Sequence, residues 1–273
     1  MNIKNVYTIY FSATETTKKV AEYLGEKISS GLTLQSKTID FTLPSSRVDK
    51  YSFEKDDLVI IAVPTYGGKV PVTLREYIKS AFSGDNTLCV PVVTFGNRNF
   101  DNALAMLKFF MENNGFNTIA AGAIVCEHSF SIGMGAGRPG KEDFDLLDKL
   151  AFNVIEKVKG NPEIAGEIVV PGDANGRDYI PRDLDGEPTP FRGSKPVTDM
   201  AKCINCGLCT QGCPMGAIDP DDVSLVPGVC MMCHRCVKIC PVNAKYFDNP
   251  NMIRHKELLK RDYIKPATSK IFI

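Results

Sequence analysis

The chain of 273 residues has no excess of charge of either sign, with 32 Lys and Arg against 32 Asp and Glu. That balance removes the electrostatic case for nucleic acid or a membrane surface as the principal partner. Long apolar runs are missing too. No segment approaches the roughly 20 apolar residues that a membrane helix needs, and the opening MNIKNVYTIYF has neither the apolar stretch nor the small-residue cleavage site of a secretory signal. A cytoplasmic protein with no membrane partner is the expectation. Cysteine is scarce in the first two thirds, where only Cys89 and Cys126 occur, whereas eight cysteines fall between Cys203 and Cys240. So uneven a distribution in an intracellular chain points to metal ligation rather than a disulfide scaffold. Two nucleotide signatures are absent as well. Without GxGxxG at the first strand-to-helix turn the chain is not expected to hold NAD in the Rossmann manner, and it has no Walker GKS or GKT.

What is present, from residue 1 to about 160, is alternation. VYTIYF is an apolar run of strand length, and in TTKKVAEYLGEKI the residues Val20, Leu24 and Ile28 recur at helical spacing. TLQSKTIDF gives a weak strand signal, while DDLVIIAVP, TLCVPVVTF and NTIAAGAIVC have the composition of buried parallel strands. Helical periodicity runs through PVTLREYIKSAF, FDNALAMLKFFMENNG and KEDFDLLDKLAFNVIEKVKG, each of crossover length. The expectation is an α/β domain over 1–160, with a doubly wound sheet of five parallel strands and about five helices on its two faces. Residues 161–196, rich in Gly, Pro and Asp, are expected to be a linker packed on the body through Ile168, Val169, Val170, Tyr179, Ile180 and Phe191. Residues 197–250 hold the cysteines. The tail, 251–273, carries a short basic helix and ends on apolar residues that should dock on the body.

The cysteines form two copies of one pattern. CINCGLCTQGCP places Cys203, Cys206, Cys209 and Cys213 in CxxCxxCxxxCP order, and CMMCHRCVKICP does the same with Cys230, Cys233, Cys236 and Cys240. Three thiolates two residues apart can wrap three corners of a cubane, and the fourth, set off by three residues and stopped by proline, turns away toward another cluster. Zinc ribbons also use CxxC pairs but need only four ligands. These residues resemble the bacterial two-[4Fe-4S] ferredoxins over nearly all of 197–248, including the small residues Gly216, Ala217 and Ala244 after the prolyl turns. The resemblance implies two [4Fe-4S] clusters, one on Cys203, Cys206, Cys209 and Cys240, the other on Cys230, Cys233, Cys236 and Cys213. His234, between two ligands, is read as an exposed loop imidazole, with a hydrogen bond to a cluster sulfur as the alternative.

In a doubly wound sheet the ligand sits beyond the carboxyl ends of the strands, where the winding reverses. Three loops qualify: SATETT, PTYGGKVP and FGNRNFDN. In the first, Ser12 followed by Glu15 reads as a capping box, and the same segment reads as an anion cradle at a helix start, with hydroxyls from Ser12, Thr14, Thr16 and Thr17. Ser12, Thr14 and Thr17 resemble the phosphate loop of the flavodoxin family, with Glu15 in place of its glycine. That resemblance covers about residues 3–159 and implies bound FMN. Pro64, Thr65, Tyr66, Gly67 and Gly68 would then lie along the isoalloxazine, Tyr66 stacking on it and the Gly67 peptide presenting a carbonyl to flavin N5. Gly96, Asn97 and Arg98 would meet the pyrimidine edge, and Phe95 is read as a core aromatic. Together with EHSFSIG and the double cluster motif, these loops look like the flavodoxin-ferredoxin fusion proteins found mainly in anaerobes. In that light the EHSFSIGMGAGRPGKED loop closes over the flavin with His128, Ser129 and Phe130 nearest, or is simply a surface loop. The Glu15 side chain is expected to turn to solvent or pair with Lys18 or Lys19 rather than face a phosphate dianion. Cys89 and Cys126 read as small buried hydrophobes, with a chance of reactivity at Cys126 because His128 shares its strand face.

A flavin exchanges one or two electrons and each cubane exchanges one, so joining them makes a wire between partners of different stoichiometry. The expected function is electron transfer between FMN, two clusters and a redox protein. The alternative is a flavin reductase of a small organic acceptor fed by the cluster domain, and a third reading has the first domain as a binding module that lost its cofactor. Whether the chain counts as an enzyme, and whether it forms a homodimer, stay open at this level.

Overall fold

In the computed structural model, which describes residues 3–131, 133–160 and 166–273, the alternating runs become strands and crossover helices. Strands β1 (Asn5–Tyr10), β2 (Ser36–Asp40), β4 (Asp57–Pro64), β6 (Thr87–Phe95) and β8 (Ala121–Val125) are mutually parallel, in the spatial order β2-β1-β4-β6-β8. The winding reverses at β1, which sends later strands away on the side opposite β2. A crevice therefore opens beyond the carboxyl ends of β1 and β4. Two short parallel strands, β3 (Tyr51–Phe53) and β5 (Phe82–Gly84), pair with each other. β7 (Phe116–Thr118) extends the edge of β6, so NTIAAGAIVC is split between two strands rather than continuous.

β4 and β6 are buried at every position, which explains their almost wholly apolar sequence. Helices α1 (Thr16–Gly31) and α4 (Lys141–Gly160) cover one face, with Val20, Leu24, Ile28, Leu147 and Val154 in its core. Helices α2 (Arg75–Ala81) and α3 (Ala103–Asn113) cover the other, over Phe11, Phe41, Val63 and Phe95. The doubly wound expectation holds, and four α-helices rather than about five accompany the sheet among the described residues. α1 approaches β1 closely at Gly25, where an added Cβ would collide with the Thr8 hydroxyl.

From residue 166 the chain crosses the carboxyl side of the sheet without regular structure. Ile168 is buried and Val170 packs on the core, while Val169 and Ile180 are exposed. The cysteine region is a duplicated unit: β9 (Val197–Thr198) pairs antiparallel with β10 (Lys245–Tyr246), and the one-turn helices α5 (Leu208–Gln211) and α6 (Arg235–Lys238) occupy matching places. Helix α7 (Pro250–Asp262) is capped by the Asn249 side chain, which accepts from the Asn251 and Met252 amides at 3.0 and 3.2 Å. The tail then docks as β11 (Lys270–Phe272), an antiparallel edge strand on β8. Ser269 holds it there by donating to buried Asp143 at 2.5 Å and accepting from the Val125 amide at 2.9 Å. No helix among the described residues is long and apolar enough to cross a membrane.

Candidate functional site

The three loops that end β1, β4 and β6 surround one cavity of about 870 Å³, completed by segments from the linker, the cysteine region and α7. Thr14, Thr16, Thr17, Pro64, Thr65, Tyr66, Gly67, Gly68, Phe95, Gly96, Arg98 and His128 all line it. Ser12, Glu15 and Asn97 do not reach its wall.

The start of α1 explains two of those exceptions. The helix begins at Thr16 with Glu15 as its N-terminal flanking residue, in the left-handed region at φ 66°, so Ser12 and Glu15 do not form a capping box. The Ser12 hydroxyl instead accepts from the Lys18 amide at 3.0 Å, and the Ser12 amide donates to the Thr42 hydroxyl. Glu15 occupies a conformation natural to glycine. Its carboxylate accepts from Arg235 at 2.6 Å and lies 3.9 Å from Lys18. It is directed at the cysteine region, not at the loop amides. Thr17 is turned inward, its hydroxyl 2.7 Å from that of Thr94.

In the second loop Tyr66 and Lys69 exchange backbone hydrogen bonds across Gly67 and Gly68, both at positive φ (59° and 73°). That is the tight turn for which paired left-handed residues are required. A Cβ on Gly67 would meet no neighbour, so this position is open toward the cavity. The Gly67 carbonyl accepts from the Tyr179 amide of the linker at 3.0 Å. Burial, with the Cys233 thiol nearby, pushes the Tyr66 phenol well above its ordinary range, so it remains protonated. The Thr65 hydroxyl is buried without a partner among the described residues.

In the third loop Phe95 is a core residue that also borders the cavity. Arg98 pairs with Asp101, and its guanidinium carbon lies over the Tyr179 ring, 3.8 Å from its centroid. Asn97 faces away from the cavity. Its amide donates to the Tyr263 and Lys265 carbonyls at 2.7 and 3.0 Å and accepts from the Ala267 amide, stapling the tail. Gly96 is required by crowding, because a Cβ there would lie 2.6 Å from the His128 ring.

His128, Ser129 and Phe130 border the cavity; Ile132 of the same loop lies outside the described residues. His128 Nδ1 accepts from the Phe130 and Ser131 amides at 3.3 and 3.2 Å, which leaves the proton on Nε2. Burial, helped by the fields of His255, His234, Arg98 and Lys238, lowers the imidazole to about 3, so the ring is neutral. Cys126 is not a nucleophile: burial, with Asp143 adding, pushes its thiol up to about 12.

The eight cysteines fall into two groups. Cys203, Cys206, Cys209 and Cys240 line one small cavity of about 20 Å³. Cys230, Cys233 and Cys236 lie close enough to one another and to Cys213 that their thiols are raised first by burial and then by mutual repulsion. Backbone amides point at the sulfurs in both halves: Asn205 to Cys203 at 3.4 Å, Ala217 to Cys213 at 3.3 Å, Met232 to Cys230 at 3.3 Å and Ala244 to Cys240 at 3.1 Å. Such amides favour thiolate and suit ligation of a negatively charged cluster. At Cys240 burial works the other way, but the Ala244, Lys245, Val242 and Asn243 amides outweigh it and hold the thiol below its usual range. No three potential ligands among the described residues converge as they would on a single metal ion.

His234 departs from its sequence reading. It is 4% exposed, with its ring stacked 4.2 Å from Phe247 and its Nδ1 bonded to the Met232 carbonyl at 3.1 Å, so it is a packed imidazole and not an exposed one.

The second group of cysteines sits on the cavity. Met231 and Cys233 belong to the apolar core of the sheet's α2–α3 face, against which Tyr66 and Met215 pack, and Cys230, Met231 and Met232 line the cavity wall. Polar ties fix this contact. Arg235 donates to the Ala13 carbonyl at 2.8 Å and to Glu15, Arg47 donates to the Pro214 carbonyl beside Cys213, and Lys238 meets Glu127 at 2.9 Å. Sequence reasoning missed Arg47, Arg235 and His255, which carry no periodic or motif signal.

Comparison with known proteins matches the two regions separately. The flavodoxin family model matches residues 8–145 and the 4Fe-4S dicluster domain model matches residues 202–244. The pyruvate synthase subunit PorD of Methanocaldococcus jannaschii is 37% identical over 57 residues, covering 20% of this chain and 66% of that subunit. PorD of Methanothermobacter marburgensis is 39% identical over 54 residues, 20% of this chain and 65% of the subunit. The chain thus spans just under two thirds of the length of these curated relatives. Among solved structures, a flavodoxin from the domain Archaea is 16% identical, covering 57% of this chain and 99% of its own, with a TM-score of 0.43.

Proposed function

Because the chain belongs to the flavodoxin family and carries a 4Fe-4S dicluster domain behind it, we propose that it moves electrons between FMN in the 870 Å³ cavity, two [4Fe-4S] clusters and an external redox protein. Electron transfer as such follows from the two domains; the route is the proposal. In it, residues 1–160 hold FMN, 161–196 link and cover it, 197–250 hold the clusters and 251–273 brace the whole. When bound, FMN supplies one- or two-electron chemistry and each cluster one-electron chemistry.

The observation that carries the route is the packing of Tyr66 against the Met231–Cys233 turn. The loop assigned to the flavin ring packs on the same apolar core as the loop assigned to one cluster. The other group of cysteines lies farther out, with Cys206 exposed, and supplies the face for a protein partner. Pyruvate synthase, of which PorD is a subunit, exemplifies a suitable donor class.

The residues fit the cofactors. The α1 amides and Thr14 and Thr16 suit a phosphate, the open Gly67 turn and Thr65 hydroxyl suit the ring system, and Arg235 keeps the Glu15 carboxylate out of the phosphate site. Tyr66, with its proton retained, contributes a flat neutral face. Anaerobic purification followed by absorption spectra and by iron, sulfide and flavin assays tests the cofactor set. Stopped-flow mixing with a one-electron reductant tests the route: flavin bleaching should proceed at a rate independent of protein concentration, and a rate that scales with concentration refutes an internal wire.

A second reading, reduction of a small organic acceptor, is favoured by one observation. The cavity extends past the three loops to the linker and α7.

A further inference from the structure

The cavity has two unlike halves. The loops that end β1, β4 and β6 make the inner half, and the linker, the turn before Cys230 and helix α7 make the outer half. In the outer half an aromatic group surrounds His255: Phe191 at 5.6 Å, Tyr179 at 5.9 Å and Phe130 at 6.5 Å between ring centroids. Phe130 and Phe191 meet edge to face at 6.1 Å. His255 donates from Nδ1 to the Arg182 carbonyl at 2.8 Å, and burial lowers its pKa, so this group carries no charge near neutral pH.

The mouth beside it is cationic. Lys69, Arg75 and Arg192 all converge on the single carboxylate of Asp178, at 3.5, 3.4 and 3.0 Å. Lys195 stands in the same wall with only the Pro227 carbonyl, 3.5 Å away, as its partner among the described residues. Three cations of the cavity wall, Arg75, Arg192 and Lys195, therefore face one anion, with buried Lys69 behind it, and the Thr73 hydroxyl on this wall is buried without a partner among the described residues. Glu127, the other acid of the cavity wall, is occupied by Lys238 at 2.9 Å. An excess of positive charge beside an aromatic-lined chamber is complementary to an anion with an apolar body. Arginine forks match a carboxylate in particular.

We propose that the outer half of the cavity binds a small planar carboxylate, an aryl or unsaturated acid, with its anionic end at Arg75, Arg192 and Lys195 and its body among Phe130, Tyr179 and Phe191. The inference rests on the reading that FMN fills the inner half, and gives that reading's organic acceptor a chemical class.

Benzoate and its neutral isostere benzamide are the probes, titrated by calorimetry into the oxidised full-length holoprotein while the flavin spectrum is followed. Benzoate should perturb the flavin band and bind about tenfold more tightly than benzamide, in line with loss of one or two partly exposed charge contacts. The Arg192→Ala/Lys195→Ala double variant should bring benzoate down to the benzamide affinity, Asp178→Asn should tighten benzoate alone, and Phe191→Ala should weaken both. Equal affinities for the two probes, or unchanged benzoate binding in the double variant, would overturn the proposal. Flavin content assayed on the same sample separates the two ideas. A preparation that holds no flavin refutes the underlying reading and the site with it, whereas a flavin-loaded protein indifferent to benzoate refutes the carboxylate site alone.

Discussion

Replacing Glu15 by glycine separates the two roles of this residue. Its backbone sits at φ 66°, where a side chain costs about 1 kcal/mol relative to glycine. Its carboxylate, 58% exposed, pairs with Arg235 across the junction of the two domains, and an exposed pair of this kind contributes about 0.2–1 kcal/mol. Relief of the backbone and loss of the pair nearly offset each other, so Glu15→Gly should leave stability within about 1 kcal/mol of the parent, on the stabilising side. Glu15→Gln keeps the backbone strain and loses the charge, and should cost about 0.2–1 kcal/mol. Because the carboxylate is held away from the cavity, both variants should bind FMN within about threefold of the parent. Anaerobic urea unfolding measures the first quantity, and quenching of FMN fluorescence on titration into flavin-depleted protein measures the second. A tightening of about tenfold or more in both variants would refute the reasoning, since it would place the negative charge against the phosphate.

Three further outcomes are expected. Gly96→Ala must displace His128, 2.6 Å from the new methyl, at a cost of about 1–3 kcal/mol, and should weaken FMN in the same titration. Arg47→Ala deprives the Phe41, Thr42 and Pro214 carbonyls of their donor and should cost about 1–3 kcal/mol, with Arg47→Lys failing to restore it because an ammonium lacks the fork; urea midpoints check both. At buried Asp143, burial favours the neutral acid, but Arg138, Ser269 and the Gly140 amide outweigh it and hold the carboxyl below its ordinary range. A depressed folded pKa gives stability that is complete above the unfolded value of about 4 and fades as pH falls through the folded one. Urea midpoints should therefore drop on acidification below about pH 4, and Asp143→Asn should flatten that slope while lowering the midpoint at neutral pH.

The sheet was legible because buried parallel strands leave an unmistakable record: β4 and β6 are apolar at nearly every position and are buried at every one. The loops that end β1, β4 and β6 were legible because the winding reverses at one place. What escaped was decided by backbone conformation and by single long side chains. Ser12 and Glu15 have the spacing of a capping box, yet the chain passes through the left-handed region at Glu15 and starts the helix one residue later, so the reciprocal bonds cannot form. Asn97 sits in a cavity loop, but its amide found three backbone partners in a tail some 170 residues away in sequence. The split of NTIAAGAIVC and the edge strand β11 likewise depend on pairing that no local pattern encodes.

One asymmetry is written in the sequence and becomes readable once the fold is known. The two cluster motifs superpose as CINCGLC on CMMCHRC, with α5 and α6 beginning after residues at φ 72° and 61°. The shared backbone sets the cysteine positions; the residues between them say which half meets the body. Ile204 and Leu208 are exposed, at 62% and 43%, whereas of their counterparts Met231 is buried in the core of the sheet's face and Arg235 is half-buried and bonded to Ala13 and Glu15. Gly207 takes its left-handed conformation freely, while His234 takes the same conformation as a packed ring. A histidine there is tolerable only where neighbours compensate for the strain. Methionine adapts to an irregular surface, and an arginine fork reaches across it. Exchanging Met231 and Arg235 for the outer pair, Ile and Leu, should thus leave both clusters assembled, by iron and sulfide content, yet slow internal flavin reduction. Unaltered flavin kinetics in that exchange would show that the docked arrangement is not the path the electrons take.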